Sequence, residues 1–172
     1  MTSLFTKSIT TVAAAALLAG AALQPALAVQ VGQSAPDISL PRQGGGTATL
    51  DQLRGKVVYL DFWASWCGPC RQTFPWMNEL QARYGAHGFS VLAVNVDAKQ
   101  ADAEKFLAQV PAQFPVAFDS RGEAPGRYEL KGMPSSFLIG PDGKVLMVHS
   151  GFKPEERKEL ESKIEAALSG KP

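Results

Sequence analysis

Cysteine and histidine are scarce in this sequence, whose 172 residues contain two of each. Two cysteines cannot form the dense disulfide framework of small secreted scaffolds, and they supply only half the ligands of a tetrahedral zinc site. Runs of basic residues are missing as well, and the 17 lysines and arginines are nearly balanced by 16 acids. The chain therefore lacks the basic face that nucleic-acid binding requires.

Charged residues make up only 19% of the chain, whereas 45% of its residues are hydrophobic and nine are phenylalanine. A disordered chain has the opposite composition, because it has too little apolar surface to bury. The length is typical of one domain of roughly 100–200 residues. We therefore expect a single folded domain.

The first 28 residues have the three parts of a secretory signal peptide. Lys7 is their one charge, residues 9–23 are rich in Ala, Leu and Val, and Ala26-Leu27-Ala28 has the pattern of a cleavage site. An uncleaved anchor is the alternative, but spanning a membrane takes about 20 apolar residues and the pattern is interrupted at Gln24-Pro25. We expect cleavage after this motif, a periplasmic location and no stable membrane anchor.

The rest of the chain alternates between strand and helix patterns. Residues 57–63 and 89–96 are almost entirely apolar, as in strands buried on both faces, and residues 74–84 carry apolar side chains at helical spacing. Such a strand–helix–strand unit forms a parallel pair. A second helix, three further strands and a helix opened by Pro154 follow. This order predicts an α/β fold with a mixed central sheet flanked by helices.

Shorter segments precede the first buried strand. Residues 29–36 are predicted to be a linker, and residues 37–40 and 47–50 to form an N-terminal hairpin around a run of three glycines. The folded domain is expected to span residues 37–170.

Both cysteines lie in Trp66-Cys67-Gly68-Pro69-Cys70, between the first buried strand and the helix. Cys67 is thereby placed at a helix N-terminus, where free N–H groups and the macrodipole favour the thiolate. Because the thiolate is the attacking species, Cys67 is predicted to attack disulfides and Cys70 to resolve the mixed disulfide.

The spacing alone leaves two other roles open for this pair. Half of a zinc site would need two further ligands, and His87 and His149 lie far apart in the chain. A purely structural disulfide would constrain the unfolded chain little, because it closes a short loop. Redox exchange is the favoured interpretation.

Residues 61–70, Asp-Phe-Trp-Ala-Ser-Trp-Cys-Gly-Pro-Cys, resemble the active-site segment of the thioredoxin superfamily. Residues 32–37 and 53–58 are similar to its exported TlpA/ResA-like branch, and residues 132–139 to its second landmark. The resemblance covers roughly residues 30–168. It implies a thioredoxin fold, with a central helix–strand insert.

The resemblance also implies roles for single residues. Cys67 corresponds to the nucleophile and Cys70 to the resolving thiol, and together they would form the redox-active disulfide. Pro134 corresponds to the cis-proline packed against that disulfide, and the preceding backbone to the segment that meets an extended substrate. The residues implied to dock substrate are Trp66, Gly68, Pro69, Met133 and Pro134.

Asp61 is an acid within the apolar residues 57–63. Its counterpart in thioredoxin lies beneath the second cysteine and relays its proton. A buried carboxyl costs free energy, and burial would raise its pKa towards neutral, which suits a base acting on a thiol. The alternative is that strand alternation turns Asp61 towards solvent.

Several positions depart from the family pattern. Exported relatives often have Glu at Thr73 and Asn at Asp61, and the lysine that accompanies the acid in thioredoxin falls at Val94. We therefore expect an acid on the strand that has no cationic neighbour. Ser135 replaces the Glu of the cytochrome-maturation subgroup, which counts against a dedicated role in haem maturation.

The sequence thus predicts an exported thiol:disulfide oxidoreductase that uses no cofactor and no metal. Its Gly-Pro dipeptide favours reduction, since thioredoxin has a potential of about −270 mV against about −120 mV for DsbA. The expected partners are periplasmic protein disulfides or thiols, and a membrane-embedded thiol reductase as electron donor.

Two rival functions fit the sequence less well. A peroxiredoxin-like thiol peroxidase would need Thr and Pro at the positions of Ala64 and Leu60. A Cu(I)-binding assembly module would need Met or His close to Cys67 in the sequence, and none is there. Titrating the reduced protein with Cu(I) distinguishes the second rival.

Overall fold

The computed structural model describes residues 29–170. The signal peptide predicted for residues 1–28 lies outside them. Within the described part of the chain, no helix has both the length and the apolar character needed to cross a membrane.

The regular elements of residues 29–170 follow the predicted order except for one short additional helix and three 3-10 turns. The strands are β1 (Ser39–Pro41), β2 (Thr47–Thr49), β3 (Val57–Trp63), β4 (Phe89–Asn95), β5 (Val116–Phe118), β6 (Ser135–Ile139) and β7 (Val145–Ser150). The α-helices are α1 (Gly68–Tyr84), α2 (Gln100–Gln109), α3 (Glu123–Arg127) and α4 (Arg157–Leu168). Single turns of 3-10 helix lie at Asp51–Leu53, Gly85–His87 and Pro154–Glu156.

Five of the strands form one mixed sheet in the order β5-β4-β3-β6-β7. β4 runs parallel to both β3 and β5, whereas β6 is antiparallel to β3 and to β7. β1 and β2 pair separately as the predicted hairpin. The predicted α/β class with a mixed sheet is confirmed.

All seven residues of β3 are buried, because each face of this central strand is covered. Tyr59 and Trp63 point into a cluster shared with α1, α2 and α4. Leu60 and Phe62 point into a second cluster, on the side of the β1–β2 hairpin and Tyr128. A strand covered in this way has no solvent face, which explains its unbroken apolar sequence.

Helix α3 was not predicted from the sequence. Its five residues include proline and glycine and show no apolar periodicity, so the pattern gives no helix signal there. The carboxylate of Asp119 accepts hydrogen bonds from the N–H groups of Glu123 and Ala124, which stabilises the start of the helix. The last helix also differs slightly, because Pro154 opens a 3-10 turn and α4 begins at Arg157.

Residues 29–36, predicted as a linker, are attached to the sheet. The N–H of Gly32 donates to the carbonyl of Val145 at 2.8 Å, and the N–H of Val145 donates to the carbonyl of Gln33 at 2.8 Å. The hydroxyl of the buried Tyr128 donates to the carbonyl of Pro36 at 2.7 Å. Sequence periodicity could not reveal this attachment, because the bonds run between backbone groups far apart in the chain.

The Tyr128 hydroxyl gives a test of this attachment. Tyr128→Phe should lower the free energy of unfolding by about 1 kcal/mol, since the half-buried Pro36 carbonyl loses its donor. Tyr84→Phe is the matched control, because the Tyr84 hydroxyl donates to Glu165 at the surface. Urea unfolding measures both changes. Equal losses in the two variants would contradict the attachment.

Candidate active site

Cys67 is the N-cap residue of α1, and it follows β3 after a three-residue loop. Gly68 and Pro69 are the first helical residues, where proline fits because its missing N–H would have no partner there. Cys67 and Cys70 are joined in a disulfide. The Cys67 sulfur accepts a hydrogen bond from the N–H of Cys70 at 3.2 Å. The same N–H and the helix dipole would stabilise a thiolate on Cys67 after reduction.

Both cysteines are buried, but the residue that precedes Cys67 is open to solvent. Trp66 is 71% exposed and stands directly before Cys67, whereas Cys70 is completely buried. Cys67 itself is 5% exposed. The Cys67 end of the disulfide is therefore the one that adjoins an exposed side chain, and Cys70 is shielded from solvent.

A buried carboxylate fixes the loop that carries Trp66 and Cys67. Asp97 is 4% exposed and accepts hydrogen bonds from the Ser65 N–H at 3.0 Å and from the Ser65 hydroxyl at 3.0 Å. It also accepts one from the side-chain amide of Asn95 at 2.8 Å. This role was not predicted from the sequence; the polar pair Asn95 and Asp97 at the end of an apolar strand is the signal that could have shown it.

Asp61 lies on β3 and is completely buried, which excludes the solvent-facing alternative. Its Oδ1 accepts a hydrogen bond from the Ser136 hydroxyl at 2.7 Å, whereas its Oδ2 has no hydrogen-bond partner among residues 29–170. Burial raises the pKa of Asp61 to about 7, and the Ser136 hydrogen bond acts in the opposite direction. A carboxyl with this pKa can both accept and release a proton near neutral pH.

The residue beside Asp61 on β4 differs from the one expected. The register pairs Asp61 with Ala93, and Val94 points into the cluster on the other face of the sheet. The position of the thioredoxin lysine next to the acid is therefore taken by Ala93, because strand alternation reverses the face at each residue. Both residues are apolar, so Asp61 has no cation there.

The other departures from the family pattern form local hydrogen bonds. The Thr73 hydroxyl, on α1, donates to the carbonyl of Cys70 at 2.8 Å. The Ser135 hydroxyl donates to the carbonyl of Gly132 at 2.8 Å, within the loop before β6. Neither side chain provides a carboxylate near the cysteines, so the acid of this site comes from β3.

The loop before β6 adjoins the same buried cluster. The Met133–Pro134 peptide bond is cis, and the carbonyl of Pro134 accepts a hydrogen bond from the N–H of Gly151. Met133 packs against the cluster that contains both cysteines. No group of three or more His, Cys, Asp or Glu side chains within residues 29–170 could hold a metal ion.

Comparison with known proteins assigns the family. The family model described as Redoxin matches residues 30–168. The chain belongs to the redoxin family. The thiol-disulfide oxidoreductase ResA of Geobacillus thermodenitrificans (strain NG80-2) is 38% identical over 137 residues, which are 78% of this chain and 79% of that protein. A ResA from Bacillus cereus is 36% identical over 131 residues, 76% of each chain.

Solved structures agree with this assignment. This redoxin superposes with a TM-score of 0.80 on a crystal structure from Chlorobium tepidum, described as a candidate thiol:disulfide interchange protein DsbE. The two are 59% identical, and the match covers 82% of this chain and 99% of the other. The predicted thioredoxin fold and ResA-like resemblance are confirmed. The protein is a thioredoxin-like thiol–disulfide oxidoreductase.

The contacts of Asp97 predict a large loss on truncation. Asp97→Ala should lower the free energy of unfolding by about 2–3 kcal/mol, because the half-buried donors of Ser65 and the buried amide of Asn95 lose the carboxylate that accepts their hydrogen bonds. Ser65→Ala should cost less, since the backbone N–H of residue 65 still reaches Asp97. Denaturant unfolding of the oxidised protein measures both. Similar values for the two variants would show that Asp97 does not fix this loop.

Asp61 should make the stability of the oxidised protein depend on pH. Its pKa is about 7 in the folded protein against a usual 3.8, so the folded state resists ionisation. The wild type should lose about 4 kcal/mol of stability as the pH rises from 4 to 8, most of it below pH 7. Asp61→Asn cannot ionise, so this loss should disappear and the variant should be the more stable protein above pH 7.

Unfolding free energies from pH 4 to 8 provide the measurement. Glu155→Gln is the control, because it removes an exposed carboxyl and should leave the wild-type curve unchanged. If the curves of Asp61→Asn and the wild type run parallel, Asp61 does not titrate as a buried carboxyl.

Proposed function

We propose that this oxidoreductase reduces disulfide bonds in exported proteins, with Cys67 as nucleophile and Cys70 as resolving thiol. The observation that carries the proposal is the position of the dithiol at the start of α1. There the Cys67 sulfur accepts the Cys70 N–H and adjoins the exposed Trp66, while Cys70 is buried. The two cysteines thus differ in access and in electrostatic surroundings, as their two tasks require.

The reaction begins with the reduced protein. The Cys67 thiolate attacks one sulfur of a substrate disulfide, and the other substrate sulfur leaves as a thiolate that takes a proton from solvent. Asp61 then accepts the proton of the Cys70 thiol. The Cys70 thiolate attacks the Cys67 sulfur, the bond between Cys67 and the substrate breaks, and the second substrate sulfur leaves as a thiolate. The substrate gains two electrons, and the protein becomes the observed disulfide.

Docking would use the surface around the exposed end of the disulfide. Trp66 offers a flat apolar side chain beside Cys67, and Gly68 and Pro69 are exposed at the start of α1. Met133 forms no backbone hydrogen bond with any of residues 29–170, so its N–H and carbonyl can pair with an extended substrate segment. Pro134 would hold that backbone next to the cluster containing the cysteines.

The location and electron source are further parts of the proposal. The signal-peptide pattern of residues 1–28 supports export to the periplasm, and the ResA and DsbE relatives are described as thiol–disulfide oxidoreductases or interchange proteins. A protein that reduces disulfides there needs a supply of electrons. A membrane-embedded thiol reductase would return the Cys67–Cys70 disulfide to the dithiol after each cycle.

Selective alkylation and trapping test the roles of the two cysteines. After reduction, Cys67 should react with iodoacetamide well below pH 8.5, the usual thiol pKa, while Cys70 stays protected. Cys70→Ser should retain substrates on Cys67 as mixed disulfides, and Cys67→Ser should retain none. The wild type should reduce insulin. Equal alkylation of both thiols at every pH, or no insulin reduction, would contradict the proposal.

A further inference from the structure

Asp61 can act in repeated cycles only if its proton is exchanged with solvent. The carboxyl is completely buried in the centre of the sheet, on the face covered by the cluster that contains Tyr59, Trp63 and Cys70. A proton taken from Cys70 therefore has no direct contact with water. The route by which that proton leaves has a function only if Asp61 has the role proposed above, on which the inference rests.

A row of side chains crosses the sheet at the level of Asp61. The register pairs Asp61 of β3 with Ser136 of β6, and Ser136 with His149 of β7. Directly paired residues of antiparallel strands point to the same face, with Cβ atoms about 4.5–5.5 Å apart. The Ser136 hydroxyl is within 2.7 Å of Asp61 Oδ1 and is buried with it.

Across the sheet, the row is polar on one side of Asp61 only. Along β3, the buried hydroxyl of Tyr59 also lies near Asp61 and Ser136, and burial raises its pKa, so it stays protonated. Towards the opposite edge the register continues through Ala93 of β4 and Val116 of β5, both buried and apolar. Towards β7, the edge strand of the sheet, it continues through a hydroxyl and an imidazole. Apolar side chains cannot carry a proton. The row therefore favours proton transfer from Asp61 towards β7.

His149 connects the row with the surface. Its imidazole is 21% exposed, and its Nε2 lies 3.4 Å from Oε2 of Glu156, without an aligned hydrogen bond. Glu156 is 30% exposed and also lies 3.7 Å from the ammonium group of Lys153. The hydrogen bond from Lys163 is the main cause that lowers the pKa of the exposed Glu159, and the imidazole of His149 contributes to it, so that carboxyl also lies near His149.

We propose that Ser136 and His149 form a proton relay that connects Asp61 with solvent at the β7 edge. Protonated Asp61 donates through Oδ1 to the Ser136 oxygen, the Ser136 proton passes to His149, and the imidazole releases a proton towards Glu156 and water. Each group gains and loses one proton, so the row returns to its starting state. Ser136 and His149 are positioning residues, because they act through Asp61 and do not touch the reacting sulfurs.

The test measures how fast Asp61 exchanges its proton. The oxidised form of each protein is jumped through the pH at which its own Asp61 carboxyl is half-protonated, because Ser136→Ala removes the hydrogen bond that lowers this pKa. The infrared band of the protonated carboxyl is followed, and the band that Asp61→Asn lacks belongs to Asp61. Ser136→Ala and His149→Ala should slow this exchange by about 10²-fold, the low end of what a positioned proton-transfer group contributes. A merely structural role would shift the stability but leave this rate unchanged.

Rescue and matched controls complete the design. Ser136→Thr keeps the hydroxyl and should restore the rate, and added imidazole should restore the rate of His149→Ala. Ser90→Ala removes a buried hydroxyl on the other face of the sheet, and His87→Ala removes an exposed imidazole; both should exchange as the wild type does.

Unchanged exchange in Ser136→Ala and His149→Ala would overturn the relay. Slow exchange that neither Ser136→Thr nor added imidazole restores would overturn it as well. Insulin reduction by the wild type is measured in parallel, and its absence would overturn the proposed function while leaving the exchange rates valid. Because the pH jump uses the oxidised protein without substrate, the two failures are distinguishable.

Discussion

The central strand β3 is covered on both faces, and each part of the active site is placed relative to it. Its C-terminal end leads through a loop of three residues to Cys67, the N-cap of α1, so Cys67 meets the free N–H groups of a helix. Its interior holds Asp61 in the layer of buried side chains that also contains Cys70. The covered strand therefore holds Cys67 at the start of α1 and buries the Asp61 carboxyl away from water.

The burial of Asp61 costs the fold stability and raises the pKa of the carboxyl into the range that the proposed proton transfer needs. Desolvation is the larger influence on its pKa, and a single hydrogen bond from Ser136 opposes it. A neighbouring lysine would lower the pKa of Asp61 and reduce the free-energy cost of burying the carboxylate, but the residue of β4 paired with Asp61 is Ala93. The carboxyl is thus left able to take a thiol proton near neutral pH, at a cost in stability that a purely structural residue would not impose.

Rigid support for the site comes from polar groups placed just outside it. Asp97 holds Ser65 through both its backbone and its hydroxyl, which sets the direction in which the exposed Trp66 and Cys67 leave the sheet. The hydrogen bond between Pro134 and Gly151 holds the loop before β6 in the same way. Preorganised neighbours of this kind keep Cys67 and the proposed docking surface in a fixed relation without contacting the sulfurs themselves.

The sequence by itself determined the class of protein, the chemistry and most of the regular elements. The unbroken apolar residues 57–63 identified β3, and Trp66-Cys67-Gly68-Pro69-Cys70 identified the redox pair, because both signals depend on residues close together in the chain. Helix α3 was not predicted from the sequence, because its own residues show no periodicity and its start is stabilised by the side chain of Asp119.

Only the tertiary structure decided which residues accompany Asp61. Its neighbours Ser136 and Ala93 belong to other strands, and a shift of register by one residue would reverse the face of each, as the position of Val94 illustrates. The same is true of Asp97 and Ser65, which lie 32 residues apart. Register and distant contacts result from the packing of the whole sheet, so the local pattern of the chain identifies the reactive groups but not their surroundings.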